Sequence, residues 1–168
     1  LLLGNAIKTL FNQSFREIKK LSKPGSTDEF DKVELPAIEQ LQSLGWTYVK
    51  GEYLSPDKSS ERTSLKEVVL EQRLSANIKR INPWISDQNL HKVVKDLTKT
   101  QYTNLIEANQ AIWMILNECV SVMQDLGKGN KGQTVHIIDF ENPENNEFLC
   151  TNQFKVSGVN QNIIPDII

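Results

Sequence analysis

Two rhythms divide this chain. Up to about residue 126 the apolar positions recur at helical spacing; beyond it they come in short runs broken by turn residues. Ile7, Leu10, Phe11, Phe15 and Ile18 form a first stripe over 6–21, and Lys23-Pro24-Gly25 ends it. Ser26-Thr27-Asp28-Glu29 has the capping-box order, so a second helix is expected to start near Thr27. Pro36 lacks an N–H and crowds the turn before it, and should kink that helix or open another. Ile38, Leu41 and Leu44 continue the stripe, and Gly45 offers a left-handed stop.

The stretch 46–54 is short, aromatic and alternating, which suits a strand or an extended arm, and 55–60 is a polar loop. Ser64-Leu65-Lys66-Glu67 repeats the capping-box order. The helix it opens carries Leu70, Leu74 and Ile78 and should end before Asn82-Pro83, because the residue before proline leaves helical space. Ser86 is placed to cap a helix with Leu90, Val93, Val94 and Leu97 inward. The longest helix is expected over 103–126, with Leu105, Ile112, Trp113, Leu116 and Val120 facing the core and Gly127 closing it. After the turn cluster 127–132, strands are expected over 134–140 and 148–156, joined by the polar turn 141–146, and a third begins near Ile163. The fold class is α+β: a helical amino-terminal half, then an antiparallel β meander.

Length and composition then narrow the class. A chain of 168 residues, 39% hydrophobic and 24% charged, suits one soluble domain or part of a larger one. No run of eighteen apolar residues suggests a membrane span, and Leu1-Leu2-Leu3 is too short for a signal sequence. Cys119 and Cys150 lack metal-site or redox-motif spacing and fit buried thiols in a reducing cytoplasm. A net charge of −2 argues against bulk attraction to nucleic acid. The charge is uneven, however. Lys8, Arg16, Lys19, Lys20 and Lys23 face only Glu17, and this basic face either is solvated or touches phosphate.

Composition assembles no complete site. The glycine cluster 127–132 lacks the order of a phosphate loop, and His91 and His136 have no ligand spacing. Pro165-Asp166 at the head of an apolar run is the one suggestive item. A carboxylate at a strand end is a hard oxygen ligand of the kind Mg²⁺ prefers, although the same dipeptide also makes ordinary turns.

From about Glu29 onward the chain resembles the amino-terminal region of type I restriction enzyme R subunits. The resemblance rests on ordered stretches: Glu34 through Leu44-Gly45-Trp46; Val69-Leu70 with Arg73-Leu74; Ile81-Asn82-Pro83; Asn109; Ile138-Asp139-Phe140-Glu141-Asn142-Pro143; Asn145-Asn146-Glu147-Phe148; Asn152-Gln153-Phe154; and Pro165-Asp166-Ile167. It implies a truncated restriction-endonuclease-like core of the PD-(D/E)xK type over 1–168, with 1–25 a helical extension. Asp166 matches the motif aspartate, and the (D/E)xK half is expected beyond Ile168. Glu34 occupies a helix position from which such nucleases supply a further carboxylate, with an exposed helix charge as the plain alternative. Arg73, Lys79 and Arg80 are candidate DNA contacts, and Arg73 is equally suited to a carboxylate partner. The implied activity is Mg²⁺-dependent phosphodiester hydrolysis of double-stranded DNA, in a complex with methyltransferase and specificity subunits. ATP is implied only for motor domains of the parent protein. The competing reading is a non-catalytic docking module that holds the motor or the methyltransferase core.

Overall fold

The computed structural model describes residues 29–98 and 104–168, so the expected helix over 6–21, its basic face and the cap at Thr27 lie outside the described residues. The chain forms two compact units, Leu1–Leu44 and Gly45–Ile168.

In the first unit a π-helical turn, Phe30–Glu34, runs directly into helix α1, Leu35–Ser43. The wide turn ends where Pro36 enters the first turn of α1. Proline has no N–H to bond back into the preceding turn, and the π-helical turn, in which Leu35 N–H reaches Phe30 O, ends at this point. Ile38 is buried, and Gly45 (φ 94°) follows Leu44 as the expected stop.

The second unit begins with β1, Thr47–Tyr48, and a 3₁₀ turn, Gly51–Leu54. Helix α2, Glu71–Ile81, with Leu70 at its N-cap, starts six residues later than the Ser64–Glu67 pattern suggests. Glu67 reaches back instead to Thr63, accepting from its backbone N–H (2.8 Å) and its hydroxyl, and this closes a loop rather than a helix. Asn82-Pro83 ends α2 as expected. Helix α3 is Asp87–Thr98, with the Ser86 hydroxyl accepting from the Asn89 N–H at 3.3 Å.

Helix α4, Leu105–Glu118, is shorter than the sequence suggests. Cys119 adopts φ 67°, and the chain turns into strand β2, Val120–Asp125. Val122 is buried and Val120 and Gln124 half-buried, while Ser121, Met123 and Asp125 are exposed, so the period is two and the residues 120–126 are not helical. Trp113, expected inside, is 61% exposed. Strand β3, Asn130–Val135, pairs antiparallel with β2 in the register Val120↔Val135 to Asp125↔Asn130. It ends five residues before the expected strand does, because the chain after Val135 is diverted into a capped turn. Ile78, Ile85, Val93, Val94, Val122, Val135 and Ile137 form the core between these helices and the hairpin.

The β structure is not one antiparallel meander. It consists of three two-stranded sheets. Strand β4, Leu149–Cys150, pairs in parallel with β1, a hundred residues upstream, and β5, Val156–Ser157, pairs antiparallel with β6, Asn162–Ile163. Polar Asn152 and Gln153, with the left-handed Gln153 backbone (φ 53°), interrupt what the sequence presents as one strand over 148–156. The class is nonetheless α+β. Among the described residues no helix is long and apolar enough to cross a membrane.

Candidate functional site

The β1–β4 pair is the frame on which Asp166 is mounted. Strand β1 fixes the strand beside it through Thr47 N–H to Phe148 O (2.8 Å), Val49 N–H to Cys150 O (3.0 Å) and Gly51 N–H to Asn152 O (2.9 Å). The Tyr48 hydroxyl donates to Asn152 Oδ1 at 2.6 Å, which satisfies a buried amide oxygen. On its other edge this strand meets the carboxy-terminal residues. Thr151 and Ile168 exchange two backbone hydrogen bonds of 2.9 Å, Gln153 N–H donates to Asp166 O at 3.2 Å, and Asn152 bridges Ile167 antiparallel. Asp166 is therefore held by its main chain while its side chain is exposed.

Glu34 belongs to the first unit and is 6% exposed, so it is not the exposed helix charge that the sequence also allowed. Among the described residues no three His, Cys, Asp or Glu side chains gather closely enough to hold a metal ion. One exposed carboxylate cannot impose the octahedral geometry that Mg²⁺ demands. The described residues alone do not fit that ion.

Arg73 takes the second of the roles the sequence left open. It forms ion pairs with Glu61 and with Glu147, and Glu147 also accepts from Asn77 Nδ2 at 3.0 Å. The hydrogen bond to Glu61, then that to Glu147, pushes the Arg73 guanidinium up from its already high value. Lys79 donates to Ile85 O and lies 3.5 Å from Asp87, while Arg80 donates to Asn77. Asp139, in the acidic run 139–147, is likewise committed, here within its own turn. Asp139 accepts from Asn145 Nδ2 (2.8 Å) and from the N–H groups of Asn142 (2.9 Å) and Glu141 (3.1 Å). The Asn145 bond first, and the Asn142 bond after it, hold its carboxyl below the usual carboxylate range. The Asn142-Pro143 turn leads into a 3₁₀ segment, Pro143–Asn145.

One charged residue carries no signal in the sequence. Arg62 is 1% exposed, with its guanidinium 4.1 Å from the centre of the Phe154 ring. Its Nη2 donates to Leu65 O (3.2 Å) and Lys155 O (3.1 Å), whereas Nε and Nη1 have no partner among the described residues. Burial pulls its pKa down from the ordinary arginine value, opposed by the nearby Glu67. It stands just past the polar loop 55–60, among polar residues where solvation is the normal expectation.

These features define an α+β module that carries an exposed carboxylate on a strand-paired carboxy-terminal segment. Residues 26–168 match the family described as the type I restriction enzyme R protein N terminus, and the chain belongs to that family. It is 32% identical over 138 residues to the type I restriction enzyme HindI endonuclease subunit of Haemophilus influenzae, a match covering 81% of this chain and 13% of that protein. It is 34% identical over 131 residues to a Methanocaldococcus jannaschii protein described as the endonuclease subunit of a type I restriction enzyme, MjaIXP, covering 77% and 12%. The chain therefore spans about an eighth of the length of these relatives. No solved structure gives a significant match.

Proposed function

We propose that this chain is the amino-terminal part of the DNA-cleaving region of a type I restriction enzyme R subunit, and that Asp166 is one of the carboxylates of its catalytic centre. The observation that carries the reading is the mounting of Asp166: its backbone is clamped to the strand 151–153, and its carboxylate is left open to solvent. A carboxylate fixed in this way would serve phosphodiester hydrolysis as one ligand of a cation that offsets the negative charge developing on the phosphate oxygens. Mg²⁺ belongs to this proposal only with further ligands from the rest of the subunit, because one carboxylate does not hold it. Double-stranded DNA is the proposed substrate, and the methyltransferase and specificity subunits are the proposed partners. ATP is assigned to motor domains outside this chain.

The experiment is Asp166→Ala in the full restriction complex, with plasmid cleavage and ATP hydrolysis followed together. Cleavage falls below about a hundredth of the unsubstituted rate, the scale on which a reacting group acts, while ATP hydrolysis persists. Cleavage retained by a folded Asp166→Ala protein overturns the reading. A second reading, a docking module that holds the motor or methyltransferase core, is favoured by the exposed apolar residues of α4, Ile106 at 75% and Trp113 at 61%. That reading leaves cleavage untouched by Asp166→Ala and predicts weakened assembly on Trp113→Ser.

A further inference from the structure

Beside Asp166 the second unit contains a cleft of about 270 Å³. Its charged walls are Glu52, Asp57, Lys58, Arg62 and Lys155, and Gln153 is among its polar ones. Three cations against two carboxylates leave one positive charge, and Lys58 shares Glu52 with Lys50. Glu52 lies 3.4 Å from Lys50 and 3.9 Å from Lys58, and Asp57 is hydrogen-bonded to Ser55.

Arg62 sets the character of this cleft. A guanidinium has five N–H donors and stays charged. Elsewhere in the described residues the arginines are bonded to side-chain oxygens, Arg73 to two glutamates and Arg80 to Asn77. Arg62 instead faces two carbonyls and an aromatic ring, and two of its nitrogens have no partner among the described residues. Donors left unpaired inside a protein are costly, and a cation in a low-dielectric wall acts strongly on any charge placed before it. Stacking on Phe154 fixes that charge in place. Lys58, with its side chain 49% exposed, and exposed Lys155 supply ammonium groups at the mouth.

We infer that this cleft holds one backbone phosphate of duplex DNA, with Arg62 as the fixed charge behind it and Lys58 and Lys155 bonding to the phosphate directly. The inference rests on the nuclease reading above for the choice of phosphate among anions. The site and Asp166 share one strand pair: Gln153 lines the cleft and donates its N–H to Asp166 O, and Ile164 lines it two residues before Asp166. A phosphate seated there lays the same DNA strand along the exposed carboxylate. Phosphate binding of this kind sets register and carries no base preference.

The test uses the full restriction subunit. Lysine acetylation is followed by mass spectrometry with and without a duplex, and duplex affinity is measured by fluorescence anisotropy across a salt series. Lys58 and Lys155 should be protected by duplex, and Lys131, exposed on β3, should not. The Lys58→Ala, Lys155→Ala double variant should bind more weakly, with a log–log salt slope shallower by about one unit, because one phosphate is no longer neutralised. Binding by the rest of the subunit is common to both proteins and cancels in that difference. Inorganic phosphate alone should also lower acetylation of Lys58 and Lys155, since it occupies the same cleft, and should leave Lys131 unchanged. Arg62→Lys, which keeps charge but not the planar fork, should weaken binding too; both lysines are exposed, so the outcome does not depend on that buried variant folding. Unprotected lysines, or an unchanged slope and affinity in the double variant, overturn the inference. Asp166→Ala separates the two claims. If it abolishes cleavage while the lysine pair is silent, the cleft fails and the nuclease reading stands; if the lysine pair weakens binding while Asp166→Ala still cuts, the cleft stands and the nuclease reading fails.

Discussion

The Asn82 side chain closes a two-way bond with the backbone of His136: its Nδ2 donates to His136 O at 2.7 Å, and its Oδ1 accepts from His136 N–H at 3.0 Å. The same Nδ2 donates to Ile78 O at 2.9 Å, capping α2. Asn82 is buried, so these groups have no water to fall back on. Asn82→Ala should therefore cost about 2–3 kcal/mol, the scale for orphaned buried backbone groups. Asn82→Asp should cost more, since it sets a carboxylate against two carbonyl oxygens. Chemical denaturation measures both; a loss well under about 1 kcal/mol for Asn82→Ala would show that the bonds contribute little.

Gly51 is required by close approach. A Cβ there would lie 2.2 Å from Asn152 O and 2.8 Å from the Gln153 carbonyl carbon, both main-chain atoms that cannot swing aside. Gly51→Ala should destabilise by about 1–3 kcal/mol and should also reduce cleavage, because the strand it displaces holds Asp166. At Gly132 the nearest atom is the Ser121 hydroxyl at 3.3 Å, the end of a small side chain. Gly132→Ala should therefore be close to neutral. Equal melting shifts for the two variants would contradict this account of the β1–β4 edge.

Acid should loosen the 139–146 turn. The Asp139 carboxyl is held below its ordinary value in the folded chain, chiefly by Asn145. A depressed carboxylate contributes stability above its unfolded pKa, and that contribution is lost as pH falls through the folded one. The amide resonances of Glu141 and Asn142, which donate to Asp139, should shift together in NMR with a midpoint under 3.8, the ordinary value. Asp139→Asn should remove the transition. A midpoint at or above the ordinary value would count against the turn as described.

Much of the helical half is legible because its punctuation is local. Gly45 acts through its own left-handed backbone, Asn82 bonds back to Ile78 and Ser86 accepts from Asn89, and each stands where a helix ends or begins. The α4 to β2 change is not legible in the same way. Leu116 and Val120 are four apart and both touch the core, so their spacing suits a continued helix; the break is made by the backbone of Cys119. The parallel pairing of Thr47 with Leu149 joins residues too far apart for any local pattern to register. Asp166 could be singled out from Pro165-Asp166 and its family context, but its exposure depends on the strand 151–153 beside it. Arg62 could not be found at all, because its burial is made by Phe154 and Lys155, ninety residues away.

The central claim is that the charge of Asp166 serves phosphodiester cleavage and not the fold. Asp166→Asn tests it most directly, since the amide keeps the side chain's shape and leaves intact the backbone bond to Gln153 and the Asn152–Ile167 bridge. The measurement is the rate of double-strand breakage of a plasmid by the full restriction complex carrying this one change, with thermal melting as the control for folding. The account predicts an unchanged melting temperature and cleavage below about a hundredth of the unsubstituted rate. Cleavage near the unsubstituted rate in the normally melting Asp166→Asn protein would contradict it.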